Sequence, residues 1–230
     1  STNETFALAI GKLDSAISAG GVTATVGSLA RVLKARAQLG SGLHAAAAAT
    51  VATVPTSFVY QVSHGLATAR QQSFTWSYMY NTQALLVADR EGGNGLNFAT
   101  ANDPRLPVDG DGAPSSFDQV TPRYYFRAYN RQNHTVSVAT GVEARLIEAE
   151  AALQATNPTL FVQKLNDARA PFAGMSQVTD PGTVAARVDL LFRERAFAMF
   201  GTSHRVGDLR RLTRQYNRPA ETVWPTGAYH

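Results

Sequence analysis

One stretch of the sequence, residues 191–212, constrains the fold more than any other. It reads LFRERAFAMFGTSHRVGDLRRL, in which apolar side chains alternate with arginines and acids at helical spacing. The pattern breaks at Gly201 and then resumes as a second basic helix. Charged side chains are costly to bury beside so many apolar ones unless they are paired. The stretch therefore predicts two helices that are held together by paired charges.

Six side chains of this stretch are the candidates for such a structural charge network. They are Arg193, Glu194, Arg195, Arg205, Asp208 and Arg210. A ligand site built from the same residues is the alternative, and the cost of burying an unpaired charge favours the network. Under this interpretation, truncation of Arg205 or Asp208 should destabilise the fold.

The composition is that of a folded protein, and it excludes several classes of function. The chain has 230 residues, of which 44% are hydrophobic and 17% charged, so it can bury a sizeable core. It has no cysteine, which excludes disulfides, zinc–thiolate sites and cysteine nucleophiles. The net charge is +4, but the arginines are interleaved with acids and no lysine-rich arm is present. We therefore expect no nucleic-acid partner.

The hydrophobic pattern divides the chain into three regions. Residues 1–54 predict helical hairpins, with helices over 5–20, from about Thr25, and in an Ala-rich run before Pro55. Residues 55–139 are rich in aromatic, Gly, Asn, Asp and Pro residues, which predicts an irregular insert with short strands near residues 58–62 and 124–129. Residues 140–230 are helical again. Asp180 as N-cap and Pro181 as first residue are expected to begin the helix of residues 191–200.

The sequence offers no catalytic residue, metal site or cofactor motif. The histidines are scattered, and neither a phosphate-binding loop nor a nucleophile motif occurs. No pair of carboxylates is singled out for glycoside hydrolysis. One oxygen-rich loop contains Asp103, Asp109, Asp111 and Asp118. Calcium would suit such ligands, but the spacing lacks the late bidentate Glu of an EF-hand, and turn chemistry explains the residues equally well.

Several motifs resemble, in the same order, those of the SusD/RagB-like outer-membrane nutrient-binding proteins. Residues 191–212 resemble the signature "ER…G.R..DL.R" near the C-terminal end of that family, and Asp103–Leu106 resembles its "DPRL" loop. VATGVEARLIEAEAAL (residues 138–153) and LNDARA (residues 165–170) resemble two further helical motifs. LARVLKARAQLGSGLHAAAAA, from Leu29, resembles a tetratricopeptide helix pair. The resemblance implies a single, mainly α domain over 1–230, made of tetratricopeptide-like antiparallel helical hairpins with an irregular, aromatic-rich insert.

The same resemblance implies a non-catalytic protein that binds a glycan or peptide nutrient. It also implies an extracellular or outer-membrane location and a TonB-dependent transporter as partner. The start at Ser1 rather than Met adds the expectation that a leader has been removed. Such proteins hold sugars on exposed aromatic rings. The candidates are Trp76, Tyr78 and Tyr80, which would alternate along one face of an extended segment, and Trp224. Packing in the core or an interface is the alternative for these rings.

Two departures from the family leave a second function open. The chain is shorter than usual members, and it lacks the cysteine that anchors them to lipid. Its low charge and Ala-rich helix suit close packing between copies. The alternative is therefore a self-assembling structural subunit of an extracellular filament or surface array, whose partner is a further copy of itself.

Overall fold

The structure, a computed structural model, describes residues 2–227; residues 1 and 228–230 of the predicted single domain lie outside the described part. The chain divides into two compact units. The helical unit comprises Ser1–Tyr60 and Ser137–Arg211, and the loop unit comprises Gln61–Val136 and Leu212–His230. The organisation of the chain as one SusD-like domain stays a prediction.

Helices dominate the described residues, which confirms the predicted mainly α class with a few short strands. In chain order the α-helices are α1 (Thr2–Ser18), α2 (Ala24–Gly40), α3 (His44–Val51), α4 (Phe74–Trp76), α5 (Gly141–Gln154), α6 (Pro158–Arg169), α7 (Val184–Ala198), α8 (Arg205–Arg214) and α9 (Ala220–Val223). The strands are β1 (Val59–Ser63), β2 (Val108–Pro114), β3 (Pro122–Phe126) and β4 (Thr135–Thr140). Strand β1 pairs with β4, and β2 pairs with β3.

Side-chain caps explain where several helices begin. The side chains of Thr23, Thr140 and Asn157 each accept a hydrogen bond from the backbone N–H three residues later, and so begin α2, α5 and α6. Pro158 occupies the first turn of α6, where its missing N–H costs nothing. The helix starts expected near residues 25 and 140 are confirmed.

The predicted start of the helix of residues 191–200 is wrong. Its true start is set by Thr183, whose hydroxyl caps α7, and by Gly182, whose left-handed φ of +89° stops the helix from extending further back. Asp180 and Pro181 therefore precede the helix rather than begin it. The Asp180 carboxylate instead forms an ion pair of 2.6 Å with Arg187.

The helical unit is built from successive helices that pack on one another. Contacts join α1 to α2, α2 to α3, α3 to α5, and α5 to both α6 and α7. The apolar cluster at its centre takes residues from α2, α3 and α5, together with the chain just before β1 and the end of β4. Its buried members are Val32, Ala35, Leu39, Ala47, Val51, Val54, Ala139, Ala144 and Ile147.

Gly141, the first residue of α5, lies close against the backbone of residues 55–58. A Cβ atom at this position would lie 2.0 Å from the carbonyl oxygen of Pro55 and 2.4 Å from that of Thr56. The N–H of Gly141 donates to the Phe58 carbonyl at 2.7 Å. Only glycine fits here, because any side chain would push α5 away from residues 55–58.

The loop unit contains the antiparallel pair of β2 and β3. Val108 faces Phe126 and Gly110 faces Tyr124, and the register shifts between Gly110 and Pro114. The strands predicted near residues 58–62 and 124–129 are confirmed as β1 and β3, although β3 ends at Phe126 and a 3₁₀ turn, Arg127–Tyr129, follows.

None of the helices in the described part of the chain combines the length and the apolar character that crossing a membrane requires.

Candidate functional site

The aromatic segment at residues 74–81 is helical rather than extended. α4 continues into a π-helical turn, Ser77–Asn81. The Ser73 hydroxyl begins the segment by accepting a hydrogen bond from the N–H of Trp76 at 3.2 Å. The alternation of Trp76, Tyr78 and Tyr80 along one extended face therefore does not occur. π-Helical turns are rare and are found frequently at functional sites.

Met79 and Tyr80 fasten this segment to β3. The Met79 sulfur is buried and accepts a hydrogen bond from the N–H of Phe126 at 3.3 Å. The Tyr80 hydroxyl donates to the Phe126 carbonyl at 3.2 Å, and its ring stacks on Tyr125 with centroids 4.8 Å apart. Burial, followed by the nearby Asp109 carboxylate, raises the pKa of Tyr80 to about 12. Tyr80 is thus a neutral packing residue that fixes the segment.

The exposed rings of the segment are Phe74 and Tyr78, which we call the aromatic platform. Phe74 is 70% exposed and Tyr78 40% exposed. Their centroids lie 4.2 Å apart at an interplanar angle of 35°. The spacing of four residues places them on one face of a helix. Phe74 was not among the residues predicted from sequence, because the spacing of four residues carries meaning only once the segment is known to be helical.

The two tryptophans lie in different parts of the loop unit. Trp76 belongs to α4 and is partly exposed, and Trp224 follows α9 and is partly exposed. The Asn94 amide holds the C-terminal segment, since it donates to the carbonyls of Glu221 and Trp224 and accepts the N–H of Thr226. Over residues 2–227, no ring contact brings Trp224 to the aromatic platform.

The carboxylates of the oxygen-rich loop are taken up by arginines or by local turns. Three form ion pairs: Asp103 with Arg105, Asp109 with Arg127, and Asp111 with Arg123. The fourth, Asp118, accepts hydrogen bonds from the Ser115 and Thr121 hydroxyls and from nearby backbone N–H groups. The Thr121 hydroxyl is the main reason that the pKa of Asp118 is lowered. In the described ranges, no group of three or more His, Asp or Glu side chains could hold a metal ion.

A cavity of about 320 Å³ lies beside these residues in the loop unit. Its walls come from the chain between residues 99 and 110, which includes the DPRL loop, and from β3. The polar side chains that line it are Asn102, Asp103, Asp109, Tyr124 and Arg127.

In the helical unit, Arg195 and Asp208 form a fully buried ion pair. The Arg195 Nε lies 2.9 Å from one Asp208 oxygen and an Nη lies 3.0 Å from the other. Arg211 also approaches Asp208, at 3.1 Å, and pairs with the buried Glu150 at 3.0 Å. These bonds connect α7, α8 and α5.

A second buried carboxylate, Glu143 of α5, is held by Arg36 and His204. The Arg36 guanidinium donates to both of its oxygens, at 2.8 and 2.7 Å, and His204 Nε2 lies 3.1 Å away. Burial would raise the pKa of Glu143, but the bonds from His204 and Arg36 outweigh it and lower the pKa to about 2. Asp208 shows the same balance: burial opposes ionisation, and Arg195 and Arg211 lower its pKa.

The other predicted members of the charge network lie on α7 and α8. Glu194 pairs with Arg169 of α6 at 2.6 Å, and Arg193 lies over the Phe197 ring at 4.6 Å. Arg205 and Arg210 both lie on α8, where Arg205 is partly exposed and Arg210 exposed. The structure thus brings Arg195 and Asp208 together directly.

Sequence reasoning missed several partners of the network. Four lie outside residues 191–212, namely Arg36, Glu143, Glu150 and Arg169, and two lie inside the stretch, namely His204 and Arg211. The available clue was the pair of acids at positions 143 and 150 of α5, which share a helix with a long apolar stripe. A buried acid in such a helix requires a cation from another element.

Two of the comparisons with known proteins give no match. No model of a known protein family matches the chain. No curated protein sequence matches it either.

A solved structure of a SusD-like carbohydrate binding protein from Bacteroides vulgatus ATCC 8482 is similar to this chain, with a TM-score of 0.60 and 16% sequence identity. The match covers 90% of this chain and 51% of that one, so this chain spans about half the length of its solved counterpart. The structure has the successive packed helices and the irregular insert that were predicted from the sequence. The chain has the SusD-like fold.

Proposed function

We propose that the chain is a non-catalytic protein that binds a glycan nutrient at an extracellular or outer-membrane surface. The SusD-like fold and the name of its solved counterpart, a carbohydrate binding protein, support this proposal. The observation that carries it is the aromatic platform, because the C–H faces of a sugar stack on exposed rings. A TonB-dependent transporter is the protein partner that we propose from the family resemblance.

The aromatic platform is suited to recognition because it is both exposed and fixed. Exposed large apolar groups in contact with each other are more informative than single ones, which are common on protein surfaces. The backbone under the two rings is held by Ser73 at one end and by Met79 and Tyr80 at the other. A rigid support reduces the entropy that a ligand must remove when it binds.

The test is a titration of the chain with a panel of soluble polysaccharides and of oligopeptides. We expect binding to at least one glycan, and we expect Phe74→Ala with Tyr78→Ala to weaken it by about tenfold. Phe117→Ala is the matched control, because Phe117 is also an exposed ring of the loop unit, 63% exposed, outside the platform. Tight binding of peptides alone would replace the glycan by a peptide nutrient. No binding across the panel would contradict the proposal.

A second candidate function, self-assembly into a filament or array, is favoured by α1. None of the 17 residues of this helix is buried, although it packs on α2, and Leu8 is 65% exposed. A further copy of the chain would cover this surface. Electron microscopy of the native protein tests the idea: regular filaments that Leu8→Glu abolishes would support it, and dispersed particles at high concentration would reject it.

A further inference from the structure

The cavity of about 320 Å³ in the loop unit has an aromatic wall next to two glycines. Tyr124 of β3 lines it, and Gly110, its partner on β2, also lines it. Gly110 cannot be replaced, since a Cβ atom there would lie 2.1 Å from the Arg123 carbonyl oxygen. A Cβ atom at Gly112 would lie 2.7 Å from the Tyr124 hydroxyl. Any side chain at either position would crowd the backbone or this tyrosine.

The charges of the cavity are balanced, which selects the class of ligand. Asp103 is paired with the buried Arg105, and Asp109 with Arg127. The carboxylates of the cavity are already paired with arginines, so they are not free to bind a cation. The guanidinium of Arg127 is already paired with Asp109, so it is not free to bind an anion. The lining thus favours a neutral ligand that both donates and accepts hydrogen bonds.

The Asp109–Arg127 pair keeps hydrogen-bonding capacity for such a ligand. Two nitrogens of Arg127, Nε and an Nη, approach the same oxygen of Asp109, each at 2.7 Å. The other carboxylate oxygen therefore remains an acceptor, and the guanidinium has five N–H donors in all. Both side chains are accessible, with exposed fractions of 40% and 56%. Neighbouring hydroxyl groups of a sugar ring fit this acceptor–donor pair.

Asn102 adds an amide at the edge of the cavity. Its backbone is left-handed, with φ of +50°, a conformation that Asn tolerates better than most residues. Its side chain is exposed, and an amide offers both a donor and an acceptor.

We propose that this cavity binds one neutral pyranose ring of the glycan, with Tyr124 stacked on the ring and Asp109, Arg127 and Asn102 on its hydroxyls. The inference rests on the proposed glycan-binding function and names a subsite for it. The volume is near the lower end of small-ligand pockets, about 300 Å³, so the cavity holds one ring rather than a long stretch of chain.

The test compares variants of residues that line the cavity with a variant of a similar ion pair outside it. Asp109→Asn and Asn102→Gly alter the cavity, and the glycine keeps the left-handed backbone that Asn102 has. Asp111→Asn is the control, because its pair with Arg123 is also exposed but lies outside the cavity lining. We expect the two cavity variants to lose about tenfold or more in affinity for the glycan that binds the wild type, while Asp111→Asn keeps its affinity. Melting temperatures verify that all three variants are folded.

The monosaccharide preference tests the class of ligand. Glucose, mannose, galactose and xylose are titrated as competitors beside glucuronate and glucose 6-phosphate, and a neutral sugar should compete best. Stronger competition by either anionic sugar would overturn the neutral class. Full affinity in the cavity variants, together with a loss in the platform variants, would reject this subsite and leave the proposed function standing. A wild type that binds no glycan would remove both.

Discussion

The Arg195–Asp208 ion pair of the helical unit and two ion pairs of the loop unit lie in opposite environments. In the helical unit, Arg195 and Asp208 are both buried and tie α7 to α8. In the loop unit, Asp109–Arg127 and Asp111–Arg123 are largely open to solvent, whereas Asp103–Arg105 is buried. In a buried pair, each partner offsets the cost of burying the charge of the other, so the loss of either partner destabilises the fold. An exposed pair contributes little to stability, and its two side chains remain available to a ligand. Location, rather than residue type, separates the structural charges from the candidate binding charges.

The largest effect is expected from Asp208→Ala. It leaves Arg195 buried without its main counter-ion, which should lower the free energy of unfolding by about 3–5 kcal/mol in urea titrations. The matched variant in the loop unit is Asp111→Ala, which should change stability little because its pair is exposed. Equal stability changes for the two variants would remove the contrast between the units.

Acid should weaken the helical unit through Glu143. The pKa of this buried carboxyl is about 2 in the folded chain and 4.5 ordinarily, so its stabilisation is present above pH 4.5 and is lost as the pH falls towards 2. The loss amounts to about 3 kcal/mol for a pKa difference of this size. Unfolding curves over this pH range measure it. In Glu143→Gln the dependence should flatten, and an unchanged slope would show that other carboxyls carry it.

Gly141→Ala tests the tight backbone contact at the start of α5. The added Cβ would lie 2.0 Å from the Pro55 carbonyl oxygen, and such overpacking should cost about 1–3 kcal/mol. Gly11→Ala in α1 is the control, since nothing lies within 4 Å of its Cβ position; it should stabilise the helix by about 0.5–1 kcal/mol. The melting temperatures of both variants test this prediction. A change of the same sign in both would contradict it.

Tyr80→Phe should give the smallest effect and sharpens the assignment of the aromatic residues. It removes the hydrogen bond to the Phe126 carbonyl and should lower the free energy of unfolding by about 0.5–1.5 kcal/mol. Glycan affinity should stay close to that of the wild type, because Met79 still holds the segment on β3. Loss of affinity at unchanged stability would instead place Tyr80 in contact with the ligand, as predicted from the sequence.

The parts of the fold that were predictable from sequence are those with a local cause. Thr140 and Asn157 are capping residues that mark the starts of α5 and α6, and the apolar stripe of α5 indicates how long that helix is. The start of α7 was misplaced because two capping sites lie close together, and the left-handed backbone of Gly182 decides between them. Neighbouring caps of similar strength cannot be ranked without the backbone angles.

The candidate site was less predictable because it depends on contacts between distant residues. Trp76, Tyr78 and Tyr80 were selected as aromatic, but their exposure depends on Met79 and Tyr80 docking on β3, which no local pattern reveals. The cavity depends on Gly110 facing Tyr124 across a strand pair, and so on the register of that pair. The charge network likewise joins Arg36 to Glu143, over a separation of 107 residues.

The apolar cluster of the helical unit has a consequence for how such a chain can diversify. It brings Val54 and Ala139 into the same core, so the intervening chain is a loop whose two ends are fixed by the scaffold. The entropy of closing a loop grows only with the logarithm of its length, at about 0.6 kcal/mol for each doubling. Insertions between these two residues are therefore thermodynamically cheap. During synthesis, however, the apolar faces of α2 and α3 stay exposed until α5 has been synthesised and can pack on them. A longer insert therefore extends the time during which the nascent chain is prone to aggregate.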